Sequence, residues 1–264
     1  MNNLHIHYNE YGHGEPMILV HGFPFSSAMW NAQVEYFSKH VRVITYDIRG
    51  HGESEIGDGQ FFLEDFVEDF FALLDVLRCE TVIAVGLSMG GYILLRAYEQ
   101  SPARFRALVL CDTKSEADSN EVKLKRAIQA KEVKTRGVKN FADGFLKAVL
   151  TDKTFSENAQ AVELIRNIML RTSSVSIAGT LLALASRTDT THVLSSITIP
   201  TLLLVGENDS ITTVSAMQAM KEKIPNAQWK ILSNAGHLSN IENPSEFNFA
   251  LETFLQSMNE QTPQ

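Results

Sequence analysis

The chain has 264 residues, enough for one large domain carrying an insertion and short of what two full domains need. Apolar residues make up 44% and charged residues 20%, which excludes a disordered, collagenous or coiled-coil chain. With 23 Lys and Arg against 31 Asp and Glu the net charge is −8, a balance that repels phosphate backbones and anionic leaflets, so neither nucleic acid nor membrane is expected as a partner.

The first eight residues lack the apolar stretch of a signal peptide, and no run reaches the roughly 18 apolar residues of a membrane span. A cytoplasmic protein is expected. His5 and His7 alternate on an early strand and share a face, which suits an exposed edge strand better than a metal site completed by His13. Short Val, Ile and Leu runs follow at 17–20, 41–45, 81–85, 107–110, 201–205 and 229–232, the pattern of strands buried on both faces of a mainly parallel sheet. Helical stripes lie between most of them. The apolar residues of 62–77 recur with helical period, and 89–100 and 247–257 read the same way. The last opens on Asn243-Pro244-Ser245-Glu246, an N-cap, a proline at the first helical position and a capping-box acid. Between them, residues 113–199 show no strand run but four helical stretches, at 121–134, 138–149, 159–171 and 176–187. The expected organisation is therefore a core of residues 1–112 and 200–264 with a helical cap, 113–199, inserted into one sheet. Cys79 and Cys111 have no CxxC spacing and read as buried free thiols.

Gly86-Leu87-Ser88-Met89-Gly90 matches G-x-S-x-G, a pattern that about one chain of this length in ten holds by accident. Its context carries the weight. The run 81–85 leads straight into it and a helix leads out, so Ser88 sits on a sharp strand-to-helix turn, where side chains at positions 86 and 90 would collide with backbone. A serine hydroxyl needs a base, and the base needs an orienting carboxylate. His237 follows the last strand run on the edge where α/β sites form, whereas His40 and His192 lie among polar residues without a pattern. Asp209 comes directly after the 201–205 run on that same edge; Asp112, at the end of 107–110, is the rival acid. His21-Gly22-Phe23-Pro24 follows the 17–20 run, so the N–H groups of Phe23 and Met89 are the candidate oxyanion hole, and His21 is assigned to holding the loop.

With these residues the chain resembles the α/β-hydrolase superfamily over nearly its whole length. His21-Gly22-Phe23-Pro24, the segment Asp47 to Ser54, Gly86 to Gly91, Gly206 to Asp209 and Gly236-His237-Leu238 stand in the expected order. In detail it is similar to 3-oxoadipate enol-lactonases and small carboxylesterases. The resemblance implies an α/β-hydrolase fold, a serine, acid and histidine triad of Ser88, Asp209 and His237, no cofactor or metal, and a small-molecule ester or lactone as substrate. Haloalkane dehalogenases and epoxide hydrolases of this fold carry aspartate where Ser88 stands, which excludes both, and Arg49 and His51 receive a structural role. Carboxylic-ester hydrolysis through an acyl-serine leads; enol-lactone hydrolysis is the alternative, since seven basic residues against four acidic ones between Lys114 and Arg136 suit an anionic substrate as well as a solvated helix face. A slow-turnover ligand sensor, a carbon–carbon hydrolase, a cyanohydrin lyase and a perhydrolase use the same triad. Phe141, Phe145 and Val149, spaced i, i+4 and i+8, share one helix face that packs inside the cap or, with Phe25 and Trp30, roofs an acyl pocket above Ser88.

Overall fold

The computed structural model describes residues 4–260. In chain order the core begins with β1 (Tyr8–Tyr11), β2 (Pro16–Val20), α1 (Asn31–Phe37), β3 (Arg42–Tyr46), α2 (Leu63–Val76), β4 (Val82–Leu87), α3 (Met89–Gln100) and β5 (Phe105–Cys111). Five helices follow before the sheet resumes: α4 (Asn120–Arg136), α5 (Val138–Val149), α6 (Asp152–Glu157), α7 (Ala159–Arg171) and α8 (Ser174–Ser186). The chain then completes the core with β6 (Thr201–Gly206), α9 (Val214–Lys223), β7 (Gln228–Leu232), α10 (Ser239–Glu242) and α11 (Pro244–Glu260). The seven strands lie in the order β1-β3-β2-β4-β5-β6-β7; β1 runs antiparallel to β3 and every other pair is parallel.

The apolar runs divide cleanly between two cores, because successive side chains of a strand face opposite ways. Ile18, Val20, Ala84, Leu108, Leu203 and Val205 meet α2, α3 and α9 on one face. Met17, Leu19, Ile83, Val85, Val109 and Leu204 meet α1 and α11 on the other. Burying each Val, Leu, Ile or Met among them stabilises by about 1.5–3 kcal/mol. The last strand departs from the expected double burial: β7 is the sheet's edge, and of its residues only Leu232 is fully buried. The early edge strand is β1, at Tyr8–Tyr11, which begins immediately after His7.

Side-chain caps explain where the inserted helices begin. Ser119, Thr151, Asn158 and Ser173 each accept a hydrogen bond from the backbone N–H three residues on, satisfying a donor that the first helical turn leaves free. Gly137, at φ +81°, separates α4 from α5. At α11 the Asn243 side chain caps the Glu246 N–H as expected, but the Glu246 carboxylate is drawn to Ser233 N–H, Asn243 Nδ2 and Lys230 Nζ instead of closing a capping box. Among the described residues no single helix is long and apolar enough to cross a membrane.

Candidate active site

Parallel strands present all their carboxyl ends on one edge, and the turns after β2, β4, β6 and β7 meet there. Ser88 follows β4 at φ +55°, ψ −112°, a conformation that costs a non-glycine residue about 1–3 kcal/mol. Its neighbours make the turn feasible. A Cβ at Gly86 would stand 2.6 Å from the Gly90 carbonyl carbon, and one at Gly90 2.2 Å from Val20 O. Cys111 O accepts the Ser88 N–H at 2.9 Å, and Thr113 Oγ1 donates to Ser88 O at 2.8 Å. The N-terminus of α3 thus points at the serine, where its dipole favours negative charge.

The turns after β6 and β7 bring Asp209 and His237 to the same place. His237 Nε2 lies 2.8 Å from Ser88 Oγ, and His237 Nδ1 lies 2.9 Å from Asp209 Oδ2. All three side chains are buried. Asp209 Oδ1 accepts the N–H groups of Ile211 and Thr212, and the Thr212 hydroxyl reaches Oδ2. Burial alone would raise the Asp209 pKa, but the charge of His237 and the hydrogen bonds from His237 and Thr212 overcome it and hold the carboxyl near about 2. Asp209 is therefore ionised throughout the neutral range.

Asp112 takes a different position from the one a rival acid requires. Its Oδ1 accepts the Gly206 N–H at 2.8 Å, its Oδ2 shares a hydrogen bond with the Ser239 hydroxyl, and it is fully buried. Burial first, then the charge of Asp209, pushes its carboxyl well above the usual carboxylate range.

Phe23 and Met89 flank the serine from two sides. A Cβ on Gly22 would stand 3.3 Å from Ser88 Cβ, so the backbone that carries the Phe23 N–H passes against the nucleophile turn. Among the described residues neither the Phe23 nor the Met89 N–H has an acceptor, although both residues are buried. Buried amides without partners are uncommon, and these two belong to the two turns that meet at Ser88. His21 bridges this loop to the next, through Gly22 O at 2.8 Å and the Ile48 N–H at 2.9 Å, and burial lowers its pKa. Arg49 pairs with Asp69 at 2.6 and 2.7 Å, and His51, whose Nδ1 faces Arg49 O, is pushed down to about 3 by burial and by His21. Among the described residues no group of three or more His, Cys, Asp or Glu side chains is placed to hold a metal ion.

The four expected pocket residues separate. Phe141 and Phe145 stack on each other at 5.4 Å, lie 6.0 and 5.9 Å from the Phe23 ring, and line a cavity of about 480 Å³ together with Arg126, Ile211 and neighbouring residues of α4. Phe25 is buried behind Phe145 at 6.2 Å. Trp30 corrects the expectation: its indole is fully buried against Phe247 of α11, at 6.0 Å, in the core on the α1 and α11 face. Val149 is buried too, while the two phenylalanines one and two turns before it stay partly open. Thr212 and Arg126 were not singled out by sequence; for Thr212 the signal was its place three residues after Asp209, where an aspartate closes a turn on the backbone ahead of it.

A profile described as the alpha/beta hydrolase fold matches residues 15–244. The chain belongs to the α/β-hydrolase family. Among its relatives, 3-oxoadipate enol-lactonase 2 of Acinetobacter baylyi is 29% identical over 238 residues, 88% of this chain and 85% of that protein. Enol-lactonase 1 of the same organism is 30% identical over 230 residues, 87% of this chain and 84% of that protein. Among solved structures, a thermophilic esterase from Thermogutta terrifontis superposes on this α/β-hydrolase with a TM-score of 0.94 at 33% identity, covering 97% of this chain and 94% of that one. The enol-lactonase from Burkholderia xenovorans does so with a TM-score of 0.90 at 28% identity, covering 97% and 98%.

Proposed function

We propose that this α/β-hydrolase cleaves carboxylic esters of small acyl substrates through an acyl-serine intermediate. The observation that carries the reading is the continuous contact from Asp209 through His237 to Ser88 Oγ. Ser88 Oγ attacks the ester carbonyl as its proton passes to His237 Nε2, and the carbonyl oxygen, now negative, is received by the N–H groups of Phe23 and Met89. Collapse of the tetrahedral intermediate breaks the carbon–oxygen bond to the leaving alkoxide, which takes the proton from His237. Water, deprotonated by the same nitrogen, then attacks the acyl-serine and releases the acid. Asp209 stays ionised and holds the imidazole in the tautomer and orientation that both halves require. The cycle uses no cofactor. Phe141 and Phe145 are the residues we assign to the acyl pocket, in a helical cap formed by 113–199. Two unpaired buried thiols, Cys79 and Cys111, fit a reducing, cytoplasmic setting.

A second reading, lactone hydrolysis of an anionic substrate, is favoured by Arg126. Its Nε is fixed to Asp118 at 2.6 Å, its amino groups have no partner among the described residues, and it faces the same cavity as Phe141 and Phe145. A panel of esters and lactones, with chain length and substrate charge varied independently, tests both readings. Neutral esters turning over fastest supports the first, and a preference for carboxylate-bearing lactones that Arg126→Met removes supports the second. Ser88→Ala should abolish either by about four to six orders of magnitude. A tenth of the activity surviving in that variant would overturn the mechanism.

A further inference from the structure

We propose that Asp112 is a positioning residue for the triad, a side chain at the end of β5 that holds the turn bearing Asp209 and the turn bearing His237 in register with Ser88. The inference rests on the triad reading above and goes beyond it, since Asp112 touches none of the reacting atoms.

Three consecutive residues at this strand end reach all three turns. Cys111 O and Thr113 Oγ1 hold the two backbone polar groups of Ser88. Between them, Asp112 Oδ1 accepts the N–H of Gly206, three residues before Asp209, and Oδ2 is bonded to the hydroxyl of Ser239, two residues after His237. One buried carboxyl therefore spans the acid turn and the base turn. The two turns are packed as tightly as backbone permits: a Cβ on Gly206 would stand 2.0 Å from Gly236 O, and Asn208 N–H donates to Ala235 O at 2.8 Å. A small shift of either is passed to the other. Asp112 itself lies at φ +43°, a left-handed conformation that aspartate tolerates better than most residues and that recurs where a site fixes its backbone.

Each of the two bonds is one that a neutral acid can make. The carboxyl is fully buried, no cation among the described residues is bonded to it, and burial and the charge of Asp209 raise its pKa. A neutral acid is copied by an amide. In Asp112→Asn, Oδ1 still accepts from Gly206 and Nδ2 donates to the Ser239 hydroxyl, whereas Asp112→Ala releases both turns. Misplacing a reacting group by about 1 Å can cost about a hundredfold in rate.

The test compares the two variants by kcat and KM for ester hydrolysis and by the far-downfield proton resonance of the His237 to Asp209 hydrogen bond, which reads the geometry with no substrate present. We expect Asp112→Asn to stay within about threefold of the parent, and Asp112→Ala to lose about 10²-fold in kcat with KM little changed and the resonance displaced. Should Asp112→Ala fail to fold, Ser239→Ala frees the base turn alone and should show a smaller loss of the same kind. Parent-like kcat and resonance in Asp112→Ala, or in Ser239→Ala where that substitute is used, overturns the proposal. So does a fall in Asp112→Asn as deep as that of Asp209→Asn, which would make charge the role. If the parent hydrolyses no ester or lactone, the proposed function falls, while the resonances still decide the role of Asp112.

Discussion

The hydroxyl of Thr212 lies 2.5 Å from Oδ2 of Asp209, the same oxygen that faces His237. It also stands 3.2 Å from His237 Nδ1, so it closes a small triangle with the acid and the base. Hydrogen bonds to a charged group contribute about 1.5–3 kcal/mol. Thr212→Val, nearly isosteric at a fully buried position, should lower kcat/KM by about tenfold, and Thr212→Ser should restore most of it. Steady-state kinetics on the two variants checks this, and equal losses in both would assign Thr212 to packing.

Asp209→Asn should cost about 10⁴ in turnover by leaving His237 in the wrong tautomer. Folding should be retained, because Asn still accepts the N–H groups of Ile211 and Thr212 that now bond Oδ1. A pre-steady-state assay with a chromogenic ester measures the acylation step directly. A loss below tenfold would remove Asp209 from the mechanism.

Phe145 and Trp30 give opposite expectations. Phe145→Ala enlarges the cavity beside Phe23 and should shift preference toward longer acyl chains, each methylene changing relative kcat/KM by about 1–3 kcal/mol. Trp30→Ala, inside the core, should cost about 3–5 kcal/mol of stability and leave the chain-length profile unchanged. Denaturant melts and an ester series on both proteins separate the roles.

What the sequence made legible depended on how much chemistry was packed into local pattern. The strand, Gly86, Ser88, Gly90 and helix could be read together because a sharp turn demands each of them, and the two later turns followed from strand ends on one edge. The bounds of α5 and α7 agree with the expected 138–149 and 159–171 because each has a side chain or a glycine that stops its neighbour. Helices α1, α6 and α9 were not anticipated. Six residues are too few to show a period in α6, and α9 buries only Met217 and Met220. An exposed early edge strand was legible in the alternation of His5 and His7, but β1 has no apolar run to fix its bounds and begins only at Tyr8. Trp30 was misplaced for another reason: nearness in sequence to Gly22 says nothing of which side of the sheet a loop turns toward.

A last prediction concerns acid. Asp118 is buried against Arg187, which grips both its oxygens at 2.8 and 2.9 Å, and against Arg126. Burial would raise its pKa, but the hydrogen bonds and charges of the two arginines bring it down to about 2. A carboxyl depressed in the folded state stabilises above its unfolded pKa and loses that contribution as pH falls through the folded one. Asp118→Asn should therefore be less stable by about 3–5 kcal/mol at neutral pH, because Arg187 is left buried without its counter-charge. The gap should narrow by about 2 kcal/mol between pH 4 and pH 2. Urea melts at several pH values read both numbers, and a gap that does not change with pH would contradict the ionised pair.

The five helices between β5 and β6 leave the sheet and return to it at adjacent places, since Leu108 is paired with Thr201 and Cys111 with Leu204. Lengthening a segment whose ends are already pinned side by side costs little, about 0.6 kcal/mol for each doubling. Neither Ser88, Asp209 nor His237 belongs to that segment. On the function proposed above, natural variation can therefore rewrite it wholesale, exchanging one roof for another over an unchanged hearth, and a chimera that trades these helices between relatives should inherit its reaction from the strands and its appetite from the transplant.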